Sequence, residues 1–261
     1  MKDLLRRYLA GRIELGEPDI VLESLSRGEA LRRVRRLAAG SAPSAAPRVD
    51  SGRADADAEL RVLGERARAC TRCALHRSRS QVVFGEGSET ARVVCVGEAP
   101  GAREDATGRP FVGRAGKLLD RLLLTAGFAR NSVYICNVLK CRPPGNRDPL
   151  PEEIEACSPF LLRQLELIRP AVIVAFGAFA ARTLLQTRES LGRLRERTHL
   201  YRGYPVIVTY HPAALLRNPG WIRPTWEDLQ KVRRRVDETE SSGRAGGSAR
   251  PGAEAAKNLS C

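Results

Sequence analysis

Four of the seven cysteines in this chain of 261 residues are spaced like the ligands of a four-sulfur metal site. Cys70 and Cys73 form a C-x2-C pair in "ACTRC", and Cys157 lies 16 residues after Cys141. A structural zinc ribbon usually has a second C-x2-C pair, which this chain lacks, and four cysteines also hold iron–sulfur clusters. The spacing therefore favours a cluster and leaves zinc or unliganded thiols as alternatives.

The segment 97–116, "GEAPGAREDATGRPFVGRAG", is rich in glycine, as phosphate-binding loops are. However, Arg114 and Ala115 stand where a Walker A loop requires Lys and Ser or Thr, and the G-x-G-x-x-G pattern of dinucleotide sites is absent. Carboxylates such as Glu98 repel phosphate, and the aromatic Phe111 indicates a flat ligand. The segment therefore predicts a pocket for something other than a nucleotide phosphate.

Four short apolar runs predict buried strands at 91–97, 132–138, 171–177 and 205–210. Helical patterns separate the first three runs, which indicates an α/β fold with a mostly parallel sheet covered on both faces. Ligands of such sheets bind beyond the carboxyl ends of the strands. The segments that follow the four runs therefore hold the candidate site residues.

The formal net charge of +14 makes a polyanion such as nucleic acid a candidate partner, although an arginine-rich surface alone explains it too. No stretch is apolar enough for a membrane span or a signal peptide, so we expect a cytoplasmic protein. Composition divides the chain into a helical extension with a flexible linker (1–57), a folded core (58–236) and a disordered tail (237–261).

Three segments, "GEAPGAREDATGRPFVGRAGKLLD", "YICNVLKCRPPGNRDPLPEEIEAC" and "YHPAALLR", closely resemble the family 4 uracil-DNA glycosylases. The resemblance runs from about Cys70 to Arg217. It implies a three-layer α/β/α fold around a four-stranded, mainly parallel sheet. It also implies a [4Fe-4S] cluster on four ligands, which are Cys70, Cys73, Cys141 and Cys157.

The resemblance also assigns roles in flipping a uracil out of the duplex and holding it. Leu215 or Leu216 enters the minor groove as an apolar wedge, and Arg217 contacts the DNA backbone; the alternative is that these leucines face the core. Phe111 stacks on the flipped base. Asn137 reads the uracil edge, because an amide donates to O4 and accepts from N3–H, whereas cytosine presents the reversed pattern.

The same family pattern places the chemistry of bond cleavage on a few groups. His211 donates a hydrogen bond to uracil O2, where negative charge collects as the glycosidic bond breaks, and the backbone N–H of Ala99 contacts the base. Ala99 occupies the position at which another branch of the superfamily has a water-positioning Asp. Glu98 and Glu104 are the nearby carboxylates that either orient water and stabilise the cationic sugar or only brace the loop.

The sequence thus predicts a monomeric DNA-repair hydrolase that acts on uracil-containing DNA and leaves an abasic site. One alternative is a related superfamily member that crosslinks to abasic DNA, but its Gln in the first motif and its His-containing insertion are absent. Another alternative is a non-catalytic iron–sulfur protein that binds DNA. This alternative is disfavoured because the chain contains Phe111, Asn137 and His211 together.

Overall fold

The computed structural model describes the backbone of residues 51–245 and the side chains of residues 55–241. The predicted helical extension up to residue 50 and the last part of the predicted tail, 246–261, lie outside the described residues. Within the described part of the chain, no helix combines the length and the apolar character needed to cross a membrane.

The described part of the chain contains six strands and eight α-helices. In chain order they are α1 (Ser51–Arg68), β1 (Glu86–Gly87), β2 (Val93–Gly97), α2 (Ala102–Thr107), α3 (Arg114–Thr125), β3 (Tyr134–Asn137), α4 (Pro151–Ile168), β4 (Val172–Phe176), α5 (Gly177–Leu185), α6 (Leu191–Arg195), β5 (His199–Tyr201), β6 (Tyr204–Thr209), α7 (Pro212–Leu215) and α8 (Ile222–Ala245). Short 3-10 turns lie between several of these elements.

The strands form one sheet in the order β1-β3-β2-β4-β6-β5. The four inner strands are parallel and correspond to the four predicted apolar runs. β1 and β5 add an antiparallel strand at each edge, so the sheet has six strands rather than the predicted four. Both additional strands are short and partly exposed, and they therefore lack the apolar run that marks a buried strand.

Helices cover both faces of the sheet, which makes the predicted three-layer α/β/α architecture. Side chains that alternate along the strands divide the core into two clusters. α1, α4, α5 and α6 contribute to the cluster on one face, and α3 and α8 contribute to the cluster on the other. The chain passes from β2 to β3 on one side and then to β4 on the other, so the carboxyl end of β2 lies at the switch point where such sheets bind ligands.

Two predicted boundaries differ from the helices that the structure contains. α1 begins at Ser51, within the predicted linker, because Leu60 and Ala67 of this helix are buried in the core. α8 continues to Ala245, beyond the predicted domain end at 236. Ion pairs along the helix cross the predicted end, as between Arg233 and Asp237, and composition alone does not reveal them.

Candidate active site and cysteine site

A cavity of about 470 Å³ opens at the carboxyl ends of the inner strands. It is lined by the residues that follow β2, β3 and β6 and by the glycine-rich segment: Glu98, Ala99, Pro100, Gly101, Glu104, Phe111, Ala115, Asn137, Pro143, Asn146, Arg147, His211, Ala213, Ala214 and Arg217. The structure thus brings together Glu98, Ala99, Glu104, Phe111, Asn137, His211 and Arg217 from the sequence prediction. The cavity is large enough for a small flat ligand and part of its attached group.

The backbone around Phe111 is clamped from two sides. Glu104 Oε1 accepts the backbone N–H groups of Val112 and Gly113, each at 2.9 Å. Arg130 donates to the carbonyl oxygens of Phe111 and Pro110 at 3.2 Å and 2.6 Å. These contacts hold Phe111 at a φ of 50°, a strained conformation for an aromatic residue. The ring forms one wall of the cavity, with its centroid 5.6 Å from that of the His211 ring.

Asn137 closes β3 and presents a buried amide to the cavity. The residue is 2% exposed, and its Oδ1 has no hydrogen-bond partner within the described part of the protein. Gly97, at the end of β2, makes this arrangement possible, because a Cβ there would overlap both Asn137 Oδ1 and the Phe111 ring. A buried acceptor without a partner is costly, so this oxygen indicates a ligand that donates a hydrogen bond.

His211 presents a neutral imidazole whose tautomer is fixed by the start of α7. The backbone N–H of Ala213 donates to Nδ1 at 3.1 Å, which places the proton of the neutral ring on Nε2. Burial, with a further contribution from the positive charge of Arg217, lowers the pKa of His211 from 6.5 to about 4. At neutral pH the ring therefore offers a single N–H donor.

The two candidate carboxylates differ in what they contact. Glu104 holds the loop through Val112 and Gly113, as described above. Glu98 has no side-chain hydrogen bond to any residue that the structure describes, and it lines the cavity. Burial, together with the negative charge of Asp148, raises the pKa of Glu98 above its ordinary 4.5. Glu98 is therefore the carboxylate that is available to a bound water or sugar.

The three residues predicted to contact DNA lie in or just after α7. Leu215 is 1% exposed and belongs to the core, so its prediction as a wedge is wrong. α7 is a single turn whose Pro212 and Leu215 are both buried. Leu216 is 45% exposed, and Arg217 is exposed at the rim of the cavity. Leu216 remains the apolar wedge candidate.

The four predicted ligand cysteines line one small cavity on the α1 and α4 side of the sheet, together with Arg79, Lys140 and Phe160. All four thiols are free of disulfides. Arg79 Nη1 donates to the Cys141 sulfur at 3.1 Å, and the backbone N–H of Lys140 donates to the Cys157 sulfur at 3.2 Å. Such donors are typical around metal-bound thiolates.

The protonation state of these thiols depends on their burial and on the positive charge near them. Burial raises the pKa of Cys157 to about 11, against the positive charge of Lys140, and it raises the pKa of Cys141 as well. A positive partner is therefore needed to hold them as thiolates. Among the side chains that the structure describes, no three Cys, His, Asp or Glu residues form a group that could hold a single metal ion.

The segment between Cys141 and Cys157 also lines the cavity at the carboxyl ends of the strands. Pro143, Asn146 and Arg147 line the cavity, although the sequence analysis did not single them out. Arg147 donates to both carboxylate oxygens of Glu153, which in turn accepts the backbone N–H of Leu150 at the start of α4. The sequence does contain a signal for these three residues, because "PPGNR" lies between two of the predicted ligand cysteines.

Comparison with known proteins agrees with this geometry. The family model described as "Uracil DNA glycosylase superfamily" matches residues 84–230. A type-4 uracil-DNA glycosylase of Thermotoga maritima is 49% identical over 178 residues, which cover 67% of this chain and 93% of the relative. A type-4 uracil-DNA glycosylase of Archaeoglobus fulgidus is 45% identical over 63% of this chain and 86% of the relative. A type-5 uracil-DNA glycosylase of Pyrobaculum aerophilum is 36% identical over 58% of this chain.

The chain therefore belongs to the uracil-DNA glycosylase superfamily and, within it, to the type-4 family.

Proposed function

We propose that this protein is a DNA-repair enzyme that takes uracil from DNA into the cavity and hydrolyses its N-glycosidic bond. Uracil excision is the activity named for the type-4 relatives, which match this chain over most of their length. The observation that carries the proposal is the unpartnered Oδ1 of Asn137 beside the Phe111 ring. This pair fits a flat base that donates a hydrogen bond from its edge.

Base recognition follows from the groups around that oxygen. The N3–H of uracil donates to Asn137 Oδ1, and the amide nitrogen of Asn137 donates to O4. Cytosine carries an acceptor at N3 and a donor at N4, so both contacts become repulsive and the buried amide stays unpaired. The Phe111 ring stacks on the base, and its clamped backbone keeps the ring in place before the base arrives.

Departure of the base is assisted by a neutral donor. Negative charge collects on uracil O2 as the glycosidic bond lengthens, and the Nε2–H of His211 donates to this oxygen. The backbone N–H of Ala99 provides a second contact to the base. Because the pKa of His211 is low, the ring is not protonated to imidazolium at neutral pH and does not act as a general acid. It therefore acts by donating a hydrogen bond that stabilises the leaving anion.

The attacking water is assigned to Glu98. This carboxylate lines the cavity and is free of protein hydrogen bonds within the described residues, whereas Glu104 is engaged with the Phe111 loop. An ionised Glu98 both orients water and stabilises the positive charge that develops on the sugar. Glu104 then acts as a positioning residue for the wall of the pocket.

DNA is held at the mouth of the cavity by α7 and the residues after it. Leu216 enters the base stack as the flipped nucleotide leaves it, and Arg217 contacts a phosphate. The net charge of +14 supports attraction to the backbone. We further propose that the protein acts as a monomer in the cytoplasm, where thiols stay reduced.

The four cysteines are proposed to hold a [4Fe-4S] cluster through Cys70, Cys73, Cys141 and Cys157. The free thiols around one cavity, with donors aimed at two sulfurs, support this ligand set. When bound, the cluster would crosslink the segment after α1, the segment after β3 and α4. The protein residues themselves bind the base, orient it and stabilise its departure.

A strand-cleavage assay tests the proposed activity directly. The protein is incubated with a labelled oligonucleotide that contains one uracil, and alkali then cleaves any abasic site. We expect cleavage with uracil and none with cytosine or thymine at the same position. A variant that combines Asn137→Ala with His211→Asn controls for contaminating glycosylases. Absence of abasic product at every enzyme concentration would contradict the proposal, and parallel substrates with hypoxanthine and xanthine define its range.

A further inference from the structure

Lys140 is a buried charged side chain that lies between the cysteine site and the base cavity. It is 1% exposed and is among the largest fully buried side chains in the described part of the protein. It lines the cysteine cavity and directly precedes Cys141. Lysine is rarely buried to this degree unless its charge is balanced.

The ammonium group of Lys140 donates two hydrogen bonds, and both acceptors are neutral. Its Nζ donates to the backbone carbonyl of Asn137 at 2.8 Å and to Gln164 Oε1 at 2.6 Å. Gln164 in turn donates to the carbonyl of Phe84 and to the hydroxyl of Tyr134. No carboxylate in the described chain forms an ion pair with Lys140. A buried ammonium group without a negative partner is strongly destabilising.

Among the described residues no carboxylate pairs with this ammonium group, and the acidic groups beside Lys140 are the thiols of the cysteine cavity. The backbone N–H of Lys140 donates to the Cys157 sulfur, and Lys140 lines the cavity shared by the four thiols. Four thiolates around a [4Fe-4S] core give the site a net negative charge. Arg79, which donates to the Cys141 sulfur, is half-buried, so Lys140 is the fully desolvated cation of this site.

We propose that Lys140 is a positioning residue whose ammonium group is the buried counter-charge of the iron–sulfur cluster and whose bond to the Asn137 carbonyl ties the base-reading residue to that charge balance. This inference rests on the cofactor proposed above. It gives the cluster an electrostatic task in addition to its crosslinking one. The donor that holds the Asn137 carbonyl is then balanced in charge only when the cluster is bound.

The proposal predicts the direction of two measurable changes. Removal of a positive charge beside a cluster favours its more oxidised, less negative state and therefore lowers its reduction potential. It also leaves the thiolates uncompensated, so iron is lost faster to a chelator. Because the Asn137 carbonyl loses its donor, the KM for uracil-containing DNA rises more than kcat falls.

The experiment compares the purified, cluster-loaded protein with its Lys140→Met, Lys140→Gln and Lys140→Arg variants. The reduction potential is measured on an electrode without DNA, and iron release is followed by the visible absorbance of the cluster in excess chelator. We expect a lower potential and several-fold faster iron loss in both neutral variants, with values near wild type for Lys140→Arg. Lys231→Met is the matched control, since Lys231 is partly exposed and pairs with Asp228.

The outcomes separate this inference from the cofactor proposal. Wild-type protein that never holds a cluster contradicts the cofactor itself. A loaded wild type whose potential and iron-loss rate are matched by the neutral variants overturns the role of Lys140 alone. If the neutral variants fail to retain a cluster while Lys140→Arg retains one, the counter-charge is supported. If Lys140→Arg behaves like the neutral variants, charge is not what the site requires and the proposal is overturned.

Discussion

The cavity brings together side chains that are far apart in sequence and that differ in their contacts. In the proposed mechanism Asn137 and Phe111 recognise the base, since one offers an unpartnered acceptor and the other a flat wall. In the same proposal His211 and Glu98 act on the bond, since one is a fixed neutral donor and the other a carboxylate without a hydrogen bond to the described residues. Glu104 supports base recognition, because it holds the Phe111 loop. Substitutions should therefore separate binding from bond cleavage.

Replacement of His211 by Asn tests its role as a donor to the departing base. Asn preserves the acceptor that caps α7, but its shorter side chain does not reach the base. We expect kcat to fall about 10²–10³-fold, as for loss of one oxyanion-type donor, with KM little changed. Single-turnover excision of uracil measures this effect. The control is His199→Asn, since His199 bonds to the Leu194 carbonyl away from the cavity. An unchanged kcat in His211→Asn would refute the assignment.

The low pKa of His211 gives a pH dependence of known sign. The folded protein holds this ring neutral down to a pKa of about 4, whereas the unfolded chain takes up the proton near 6.5. Between these two values the unfolded state binds more protons, so the free energy of unfolding falls as the pH is lowered. Urea unfolding at several pH values should show a shallower decline in His211→Asn. Equal slopes in the two proteins would mean that the ring is not desolvated as described.

The two carboxylates are distinguished by paired amide substitutions. Glu98→Gln keeps the size of the side chain but removes the charge near water and sugar, so we expect kcat to fall about 10²-fold with stability nearly unchanged. Glu104→Gln weakens two bonds to the Phe111 loop, so we expect a higher KM and a loss of about 1–2 kcal/mol in the free energy of unfolding. Steady-state kinetics and urea unfolding measure both. If Glu104→Gln lowered kcat while Glu98→Gln raised KM and lowered stability, the roles of the two carboxylates would be the reverse of those proposed.

The helices and strands show which parts of the structure a sequence can reveal. The four inner strands were predicted because burial on both faces requires continuous apolar residues. The edge strands β1 and β5 were missed because their partly exposed residues carry no such signal. The sequence left open which of Leu215 and Leu216 faces the core, since neighbouring leucines look alike until the helix fixes which one faces inwards.

The site was predicted through the segments that follow each inner strand, but its supports depend on tertiary contacts. The prediction named Phe111, Asn137 and His211, which the structure places around one cavity. It could not name Arg130 as a clamp, because the residue reaches the Phe111 carbonyl from a turn before the next strand. It also missed Lys140, since burial of a lysine contradicts the usual expectation for its type.

The start of α4 provides a test of how the cysteine segment is held. Glu153 is buried, accepts the N–H of Leu150 and pairs with Arg147, which lines the base cavity. We expect Glu153→Gln to lose about 2 kcal/mol of stability, because bonds to a charged group are weakened, and to raise the KM as Arg147 is released. The exposed Glu155→Gln on the same helix is the control. Urea unfolding in which both variants match wild type would exclude this role.

Across the whole chain, charge determines how the enzyme meets its substrate. Lysine and arginine outnumber aspartate and glutamate by 44 to 30, and many of the arginines are paired with carboxylates. Arg217 forms no ion pair within the described part of the chain, and it stands at the mouth of the cavity beside the exposed Leu216. Arg217 is thus one unpaired positive charge at the place where we propose that the DNA backbone binds.

Salt dependence of DNA binding tests that location. Each phosphate neutralised by a protein cation releases condensed counterions, so the logarithm of affinity falls linearly with the logarithm of salt concentration. We expect a steep slope for wild type and a slope smaller by about one for Arg217→Gln, whatever the sequence of the duplex. Arg163→Gln should leave the slope unchanged, because Glu59 and Glu166 already balance that charge. Fluorescence anisotropy with the catalytically impaired His211→Asn background keeps the substrate intact, and equal slopes for the two arginine variants would place the DNA elsewhere on the surface.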